Sequence, residues 1–525
     1  MPELADSEAL LGLEAFRLLI GPHTPMPSDS VRSEDTQKTG RAIISSPAPG
    51  RDANLVTAQP MTDLYVVILA AGKGTRMKSS QPKVLHGLAG RSILEHVLRT
   101  AQSLRATETV VVVGHEAEAV REAVRSHAGL QFVVQSPQLG TGHAVQQTEP
   151  LLKGKRGTLL LLYGDVPLLQ ASTLSRLLEH HREASASGTV LTAQFDDPYG
   201  YGRIVRDEDG QIARIVEERD ASGEQRAIRE INSGIYALEL GPLFDALAHL
   251  ASDNSQGEYY LTDLVAMYRK RGLRFETVMV DDAADLRGVN NRVDLAELSA
   301  LVRARKRRTV MLDGVTLEDP DSTLIDDDVT IGADSIIGPG VLLFGNTSIG
   351  SRCRIHNGTR ITNAALGDDV TVLDHCVIVN SAVASRASIG PFAHLRPNSD
   401  IAEGAHIGNF VELKNTQFGQ GSKAGHLAYL GDATIGRDVN VGAGVITCNY
   451  DGEKKHATVI EDGVFIGSDS QLVAPITIGK GAYVAAGSSV TTDVPPDALA
   501  VARSHQTNKL GWGARRRAKR AEPRE

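Results

Sequence analysis

A glycine-rich segment with basic residues nearby has the composition of a phosphate-binding loop. It spans residues 69–77, directly after an apolar run. Glycine lets a backbone approach a ligand closely, and successive backbone N–H groups ahead of a helix bind anions. The side chains of Lys73, Arg76 and Lys83 would add positive charge. We therefore expect a phosphate group of a substrate to bind at this segment.

The glycine spacing differs from that of two common nucleotide-binding motifs. The segment lacks the GxxxxGK[ST] pattern of a P-loop, and Met77 occupies the position of the third glycine in a Rossmann GxGxxG motif. The predicted phosphate site therefore belongs to another class of nucleotide-binding protein.

Residues 61–290 show the pattern of an α/β domain that would position this loop. Short apolar runs alternate with helical stretches, and such runs are typical of a mostly parallel sheet covered on both faces. The apolar runs are 66–69, 110–113 and 159–162, and the helical stretches are 93–104, 116–124 and 174–182. We predict a Rossmann-like domain that binds its ligand at the carboxyl ends of the strands, and a helical linker at 291–310.

Residues 311–503 follow a different period. Aliphatic residues recur every six positions from Ile325 to Ile361, resume with one-residue slips as far as Leu413, and recur again from Ile460 to Val490. This period is typical of hexapeptide repeats, in which each hexad is one side of a triangular β-helix. The rhythm is interrupted at 418–428 and 448–459, and we expect these two interruptions to carry function.

The overall composition supports this organisation. Hydrophobic residues make up 41% of the 525 positions, but aromatic residues only 4%, and there are 51 glycines. No apolar run approaches the ~20 residues of a membrane span. The three cysteines lack zinc-site spacing and suit a reducing cytosol. A net charge of −9 argues against general nucleic-acid binding.

The two ends differ from the rest of the chain. Residues 1–60 are predicted to be a disordered extension, whose acidic start disfavours a secretory signal, and Met61 is a second candidate for the natural start. Residues 504–525 form a basic tail, for which we consider a flexible solvated end and an anionic partner.

At the glycine-rich segment the sequence resembles the sugar-nucleotide pyrophosphorylases. Further motifs narrow the resemblance to the bifunctional N-acetylglucosamine-1-phosphate uridyltransferase/glucosamine-1-phosphate N-acetyltransferase family, from about residue 64 to residue 512. The motifs are Gln135, QLGTGHA at 138–144, YGDVP at 163–167, GYGR at 200–203, Glu217, EINSG at 230–234, GEYYLTD at 257–263 and GVNNR at 288–292.

The resemblance implies a two-step enzyme that makes UDP-N-acetylglucosamine for bacterial envelope synthesis. The C-terminal domain would acetylate glucosamine 1-phosphate with acetyl-CoA, and the N-terminal domain would then transfer uridylate from UTP and release pyrophosphate. It also implies a left-handed β-helix, a homotrimer and a cytoplasmic protein. Two alternatives are a single-activity pyrophosphorylase whose β-helix serves assembly or regulation, and a non-catalytic scaffold.

The N-terminal reaction brings two polyanions together, so its site needs a divalent cation and basic side chains. Asp165, which follows the apolar run 159–162, is the natural Mg²⁺ ligand, and the resemblance adds Asn290. The alternatives are a turn cap for Asp165 and a helix N-cap for Asn290. The resemblance assigns these further residues to UTP or UDP-N-acetylglucosamine: Leu69, Ala70, Ala71, Gly72, Lys83, Gln135, Gly140, Thr141, Tyr163, Gly164, Gly202, Glu217 and Asn232.

Acetyl transfer to an amine needs a base, and histidine suits neutral pH. His426 lies in the first interruption, and a nearby carboxylate such as Glu412 could orient its ring; the alternative is a surface-loop histidine. Cys448 could carry an acyl group, but we expect it to pack inward. The resemblance assigns Arg396 and Lys414 to the phosphate, Tyr429 and Asn440 to the sugar, and Ala443, Asn449, Tyr450, Ser468, Ala486 and Arg503 to acetyl-CoA.

Overall fold

A computed structural model describes residues 63–521 of the chain. The predicted disordered extension at 1–60 and the last four residues of the basic tail lie outside this range. Within it, no helix is long and apolar enough to cross a membrane.

The N-terminal domain is built on a nine-stranded mixed sheet. The strands are β1 (Leu64–Leu69), β2 (Glu108–Val113), β3 (Leu130–Val134), β4 (Thr158–Tyr163), β5 (Gly188–Gln194), β6 (Gly202–Arg206), β7 (Ile212–Val216), β8 (Glu230–Glu239) and β9 (Phe275–Met279). Their order is β9-β5-β8-β4-β1-β2-β3, and β6 joins β8 to β7. The pairs β9–β5, β4–β1, β1–β2 and β2–β3 are parallel, whereas β8 runs antiparallel to its neighbours.

Helices cover both faces of this sheet, as predicted. Alternate residues of β1 enter opposite cores, because strand side chains alternate between faces: Val67 packs with one set of helices and Val66 with the other. The helices are α1 (Ile93–Ser103), α2 (Ala117–Ala123), α3 (Thr141–Gln146), α4 (Glu149–Leu152), α5 (Ala171–Glu183), α6 (Gly223–Arg226), α7 (Leu240–Leu247) and α8 (Asp263–Lys270). Single 3₁₀ turns occur at Thr75–Met77, Lys83–Leu85 and Ala283–Leu286.

Helix α9 (Arg292–Leu312) follows the sheet over the segment predicted as a linker. Asn291 is its N-cap and forms a capping box with Asp294, which supplies hydrogen bonds that a free helix end lacks. A short hairpin, Gly87–Leu88 paired with Arg91–Ser92, carries Arg91 against Asp327 and Asp328 of the C-terminal domain. The hairpin and α9 therefore join the two domains.

The C-terminal domain consists of three stacks of short parallel strands, one on each side of a β-helix. The first stack comprises Thr316–Leu317, Ile336–Ile337, Arg354–Ile355, Thr371–Val372, Ser388–Ile389, His406–Asn409, Lys423–His426, Asn440–Val441, Phe465–Ile466, Tyr483–Val484 and Leu499–Ala500. The second comprises Leu324–Ile325, Leu342–Phe344, Arg360–Thr362, Val377–Val379, His394–Leu395, Glu412–Lys414, Tyr429–Gly431, Ile446–Cys448, Gln471–Val473 and Ser489–Val490. The third comprises Thr330–Ile331, Ser348–Ile349, Ala365–Leu366, Ala382–Val383, Ser399–Ile401, Thr416–Phe418, Ala433–Ile435, Thr458–Ile460 and Ile476–Ile478.

The hexad aliphatics form one continuous core inside these stacks, which confirms the predicted left-handed β-helix of hexapeptide repeats. Nearly all are buried, although Ile331 in an early coil is partly exposed. Phe418 is the aromatic side chain of this core. The narrow interior therefore accounts for the low aromatic content of the chain.

The first predicted interruption, 418–428, is not an interruption of the coil. Ala424 takes the inward position in register with Ile407 and Val441, so the strand Lys423–His426 continues the first stack. The repeat was not recognised here because alanine is smaller than the aliphatic residues that define the pattern. The second, 448–459, does leave the stacks, between Ile446–Cys448 and Thr458–Ile460.

Part of the basic tail is helical. Helix α10 spans Trp512–Ala521, and none of its residues is buried. Alanine, arginine and lysine all favour helix, so a basic run of this composition can be helical without a packing face.

Candidate active sites

The N-terminal domain contains a cavity of about 300 Å³ at the carboxyl ends of β1 and β4. Its lining joins the glycine-rich segment to three other parts of the chain. The residues are Leu69, Ala70, Ala71, Gly72, Lys73, Lys83, Val84, Gln135, Gln138, Gly140, Thr141, Ala144, Tyr163, Asp165 and Glu258. Nine of these are residues that the resemblance assigned to the nucleotide, together with Asp165.

Close backbone contacts shape this cavity. The Gln138 amide donates to the carbonyl oxygen of Ala71 at 2.6 Å, and the Gln135 amide donates to that of Gly140 at 2.9 Å. Gly140 has a φ of +102°, and a Cβ there would lie 2.8 Å from the carbonyl oxygen of Tyr259. A glycine is therefore required where the two segments meet.

A second cavity of about 350 Å³ adjoins the first and shares Thr141, Tyr163 and Asp165 with it. It contains Gly202, Glu217, Asn232 and Asn290, the residues assigned to the sugar and the metal. All the predicted site residues of the N-terminal domain except Gly164 therefore line these two adjoining cavities.

The polar groups of this second cavity are held in place. Asn232 Oδ1 accepts hydrogen bonds from the Tyr236 hydroxyl at 3.0 Å and from the Gly234 N–H at 2.9 Å. The Thr262 hydroxyl donates to Glu217 Oε1 at 3.1 Å. Burial raises the pKa of Glu217 above its ordinary value, and it raises that of Tyr163 further. The cavity therefore offers fixed, largely desolvated hydrogen-bonding groups, as a sugar requires.

Asp165 and Asn290 fit a Mg²⁺ ion that substrate phosphates also bind. The Asp165 carboxylate contacts the ammonium of Lys83, and Asn290 Oδ1 accepts a hydrogen bond from Arg76 at 3.3 Å. Both oxygens therefore already face positive charge. Mg²⁺ typically takes one or two protein carboxylates plus phosphates and water, and within residues 63–521 no cluster of three His, Cys, Asp or Glu residues could form a complete protein cage.

The two alternatives for these metal candidates are wrong. Asn291, not Asn290, caps helix α9, which leaves the Asn290 side chain free to face the cavity. Asp165 is not a simple turn cap, because its carboxylate pairs with Lys83 from a distant part of the chain.

On the β-helix, His426 ends a first-stack strand, at the corner before the second stack. Its Nδ1 contacts Oδ1 of Asn409, which lies one coil earlier in the same register. Within residues 63–521 no hydrogen bond joins Glu412 to this ring, so the predicted contact is not made inside the chain. Glu412 instead accepts a hydrogen bond from Arg396 at 2.8 Å, because the two side chains are close neighbours on adjacent coils of the second stack.

A basic cluster lies where the second-stack strand Glu412–Lys414 ends. The nearby Lys455 ammonium, together with burial, lowers the pKa of Lys414; Arg396 adds to this effect and Asp432 opposes it. Repulsion between these cations would be relieved by a bound anion. Lys455 comes from the segment 449–457 that leaves the stacks, where the paired lysines 454 and 455 were a signal that the sequence analysis did not use.

Tyr429 and Asn449 meet beside this cluster. A Cβ on Gly431 would lie 2.5 Å from the Tyr429 hydroxyl and 2.8 Å from the Asn449 amide nitrogen. Tyr450 is exposed and its hydroxyl donates to the carbonyl oxygen of Gly452. Asn440 is exposed on the first stack, one face away from Tyr429.

The remaining candidates lie at the corner that follows the first stack. Ala443, Ser468 and Ala486 occupy equivalent positions on successive coils, each two residues after a paired first-stack residue. Arg503 lies one coil further, with its Cδ 3.8 Å from a Cβ position on Gly487. Within residues 63–521 no hydrogen bond or ion pair joins His426 to Arg396, Lys414 or Tyr429.

Cys448 does not pack inward as expected. The inward residue of its strand is Thr447, and Cys448 is only partly buried. In the short strand Ile446–Cys448 the middle residue faces the core, so Cys448 faces outward.

Comparison with known proteins gives matches over both domains. Residues 66–256 match the family of MobA-like NTP transferase domains, residues 320–398 the GMPPB C-terminal domain, and residues 457–492 the bacterial transferase hexapeptide family. The bifunctional protein GlmU of Trichlorobacter lovleyi is 52% identical over 86% of this chain and 98% of its own length. Those of Pelobacter propionicus (49% over 87% of the chain and 100% of the relative) and Koribacter versatilis (50% over 86% and 97%) are similarly close.

The chain belongs to the GlmU family. It is a bifunctional transferase that makes UDP-N-acetylglucosamine, as the resemblance predicted, and the single-activity and scaffold alternatives are set aside.

The structure also supplies a contact that the sequence analysis missed in this GlmU-family chain. Asn409 touches the ring of the candidate base, but the supposed interruption at 418–428 obscured its register with His426.

Proposed function

We propose that the two reactions of this enzyme divide between the two sites, with the candidate residues in the roles given below. The proposal rests chiefly on one observation: the described chain holds two separate constellations, and each contains the groups that one reaction needs. A pocket with Lys83, Asp165 and Asn290 suits phosphates, and a solenoid surface with His426, Arg396 and Lys414 suits an amino sugar phosphate.

In the N-terminal pocket, a phosphate oxygen of N-acetylglucosamine 1-phosphate attacks the α-phosphorus of UTP. The bond between this phosphorus and the bridging oxygen breaks, and pyrophosphate leaves. Lys83 and Arg76 bind the phosphate oxygens, and Glu217 and Asn232 orient the sugar. Asp165 and Asn290 would hold Mg²⁺, which when bound offsets the negative charge of the phosphates. Catalysis here is mainly positioning and charge stabilisation.

On the β-helix, the amine of glucosamine 1-phosphate attacks the thioester carbon of acetyl-CoA. The new C–N bond forms, the C–S bond breaks, and the amine proton passes through His426 to the leaving sulfur. If His426 Nδ1 donates to Asn409, then Nε2 is the nitrogen that accepts the proton. Arg396 and Lys414, joined by Lys455, bind the phosphate, and direct transfer needs no cysteine nucleophile.

Tyr429 and Asn440 bind the sugar, whereas acetyl-CoA lies along the corner of the first stack. The corner residues Ala443, Ser468 and Ala486 are small, and strands of neighbouring coils lie about 4.8 Å apart. A column that continues to Arg503 therefore suits an extended ligand with phosphates at one end. Asn449 and Tyr450 complete the acetyl-transfer site.

The active form is a homotrimer, and the protein works in the cytoplasm. Two observations support the trimer. An exposed ridge of stacked rings, formed by His375, Phe392 and Phe410, runs along one corner with ring centroids 5.3 Å apart and continues to Leu427. In addition, no hydrogen bond or ion pair among the described residues joins His426 to Arg396 or Lys414, so a second copy would complete the acetyl site.

The test uses two variants, each of which should lose only one of the two activities. His426→Ala should abolish CoA release from acetyl-CoA and glucosamine 1-phosphate, while pyrophosphate release from UTP and N-acetylglucosamine 1-phosphate continues. Asp165→Asn should do the reverse and weaken the Mg²⁺ dependence of uridylyl transfer. Loss of both activities in either folded variant would contradict the two-site proposal.

A further inference from the structure

A column of amide side chains follows the second stack at one corner of the β-helix. Asn363, Asn380, Asn398 and Asn415 occupy this corner in successive coils with φ between +45° and +63°. The next coil has Asp432 instead, with φ +49°, although asparagine would suit the same backbone. The change from amide to carboxylate therefore calls for a chemical reason rather than a conformational one.

The carboxylate of Asp432 contacts an amide on each neighbouring coil. Asn415 Nδ2 donates to its Oδ1 at 2.8 Å, and Asn449 Nδ2 donates to its Oδ2 at 2.5 Å. An ionised carboxylate only accepts hydrogen bonds. Both amides must therefore turn their NH₂ groups toward Asp432.

This contact leaves the oxygen of Asn449 available. The residue as a whole is 7% exposed, yet its Oδ1 has no hydrogen-bond partner within residues 63–521 and is not sealed from solvent. The Asn449 amide also lies beside the Tyr429 hydroxyl over Gly431. The available Oδ1 therefore belongs to an amide that is fixed beside the tyrosine assigned to the sugar.

The backbone holds Asp432 itself firmly. Its N–H donates to the carbonyl oxygen of Lys414 at 2.9 Å, and its carbonyl oxygen accepts from the Thr458 N–H at 3.1 Å. Lys414 belongs to the basic cluster, and Thr458 directly follows the segment 449–457 that carries Asn449. The corner therefore ties Asn449 to the basic cluster.

We propose that Asp432 is a positioning residue for acetyl transfer: it fixes the Asn449 amide so that Oδ1 accepts a hydrogen bond from the amine of glucosamine 1-phosphate. The nitrogen lone pair is then directed toward the thioester carbon. This inference rests on the proposed function, which assigns Asn449 to the acetyl-transfer site.

The first test is Asp432→Asn, a variant whose backbone preference matches the four preceding coils. An amide has one acceptor oxygen for the two NH₂ groups that Asp432 now receives, so Asn449 loses its fixed orientation in part of the molecules. We expect kcat for acetyl transfer to fall about tenfold, with both KM values changed less than about threefold. Uridylyl transfer should be unchanged.

The matched control is Asn415→Gly. It removes the contact to the other oxygen of the same carboxylate, and glycine accepts the positive φ. Its kcat for acetyl transfer should stay within about twofold of the parent chain. A tenfold loss in this control as well would show that the contacts of Asp432 act by stabilising the corner of the β-helix and not by orienting Asn449. That result would overturn the proposal.

A double variant tests whether the effect passes through Asn449. In an Asn449→Ala background, Asp432→Asn should cause no further loss of kcat, because the oriented amide is already gone. Additive losses would overturn the proposal. So would an unchanged kcat with a lower KM for glucosamine 1-phosphate, which would mean that the Asp432 charge acts only on the Lys414 cluster.

These results separate the inference from the proposed function. If Asn449→Ala alone leaves acetyl transfer intact, the assignment of Asn449 fails and Asp432 loses its role with it. If Asn449→Ala is impaired but Asp432→Asn is normal, the assignment stands and only the positioning role of Asp432 is overturned.

Discussion

The two sites of this enzyme are built in opposite ways. The N-terminal site is a pair of joined cavities whose residues come from distant parts of the sequence and meet at one edge of a sheet. The C-terminal site lies on the outside of a solenoid, where its residues come from neighbouring coils and remain in two groups. The cavities of the proposed N-terminal site lie within one chain, whereas our proposal for the C-terminal site requires a second copy to complete it.

The difference follows from how each fold buries its side chains. A sheet with helices on both faces leaves a crevice at the carboxyl ends of its strands. The narrow interior of a β-helix is filled by aliphatic side chains, so every functional group must point outward. An outward surface can exclude water from a reaction only when something else covers it.

The largest expected effect tests this difference. Phe392→Asp places a charge in the exposed ridge, where Phe392 stacks on both His375 and Phe410. Aspartate accepts the φ of +55° at this corner, so the coil itself should remain intact. We expect the proposed trimer to dissociate and acetyl transfer to fall by about 100-fold or more, while uridylyl transfer persists.

Light scattering would measure the mass, and the two product assays would measure the activities. Phe392→His is the matched control, because His375 already occupies the preceding corner and stacks in the same ridge. A monomeric variant with full acetyl transfer would show that the C-terminal site is complete on one chain, and the contrast between the sites would disappear.

The next effect concerns the N-terminal pocket alone. Gly140→Ala would bring a Cβ to 2.8 Å from the Tyr259 carbonyl oxygen and 2.9 Å from Glu258 Cβ, so the two segments that form the pocket would move apart. We expect uridylyl transfer to fall by about 100-fold, because small displacements of positioning groups are costly. Acetyl transfer should be unchanged.

Gly154→Ala controls for backbone strain in this experiment. Gly154 also has a positive φ, +83°, but no atom lies within 4 Å of its Cβ position. It should cost about 1 kcal/mol of stability and leave both activities unchanged. Equal losses in the two variants would indicate that strain, rather than pocket geometry, disables the site.

The sequence predicted both folds because each has a strong period. Buried strands such as β1 are continuous apolar runs, and the hexad aliphatics point into the solenoid. The repeat was misread at 418–428, where the small inward residue Ala424 carries too little hydrophobic signal. The antiparallel β8 was also beyond the pattern, since a strand's direction depends on which neighbours it pairs with.

The site was predictable residue by residue only where a motif carried it. The sequence supplied Asp165, by its place after a buried strand, and His426, by its chemistry, but not the partners that these residues contact. Glu412 was a reasonable candidate for the carboxylate that orients this base, because it is an acidic residue near His426 in sequence. The Glu412 carboxylate instead accepts a hydrogen bond from Arg396. Which neighbour a side chain contacts depends on side-chain geometry, which the spacing of residues in the sequence does not determine.

The smallest expected effect tests whether the two sites are independent. Arg91 has a side chain only 12% exposed and pairs with Asp327 and Asp328 of the first coils. Arg91→Ala would leave these carboxylates with the more exposed Arg99, so we expect a loss of about 1–3 kcal/mol in stability. Both kcat values should stay within about twofold, because the pair touches neither site.

Thermal inactivation of each activity would measure this effect, with Arg352→Ala as the matched control. Arg352 also pairs with a carboxylate, that of Asp369 at 2.8 Å, but the two side chains are 54% and 41% exposed. An exposed pair contributes about 0–1 kcal/mol, so its removal should shift neither midpoint measurably. If Arg91→Ala instead lowered either kcat by tenfold, the domain junction would transmit its geometry to a site. The N-terminal pocket and the solenoid surface would then be energetically coupled and not independent sites.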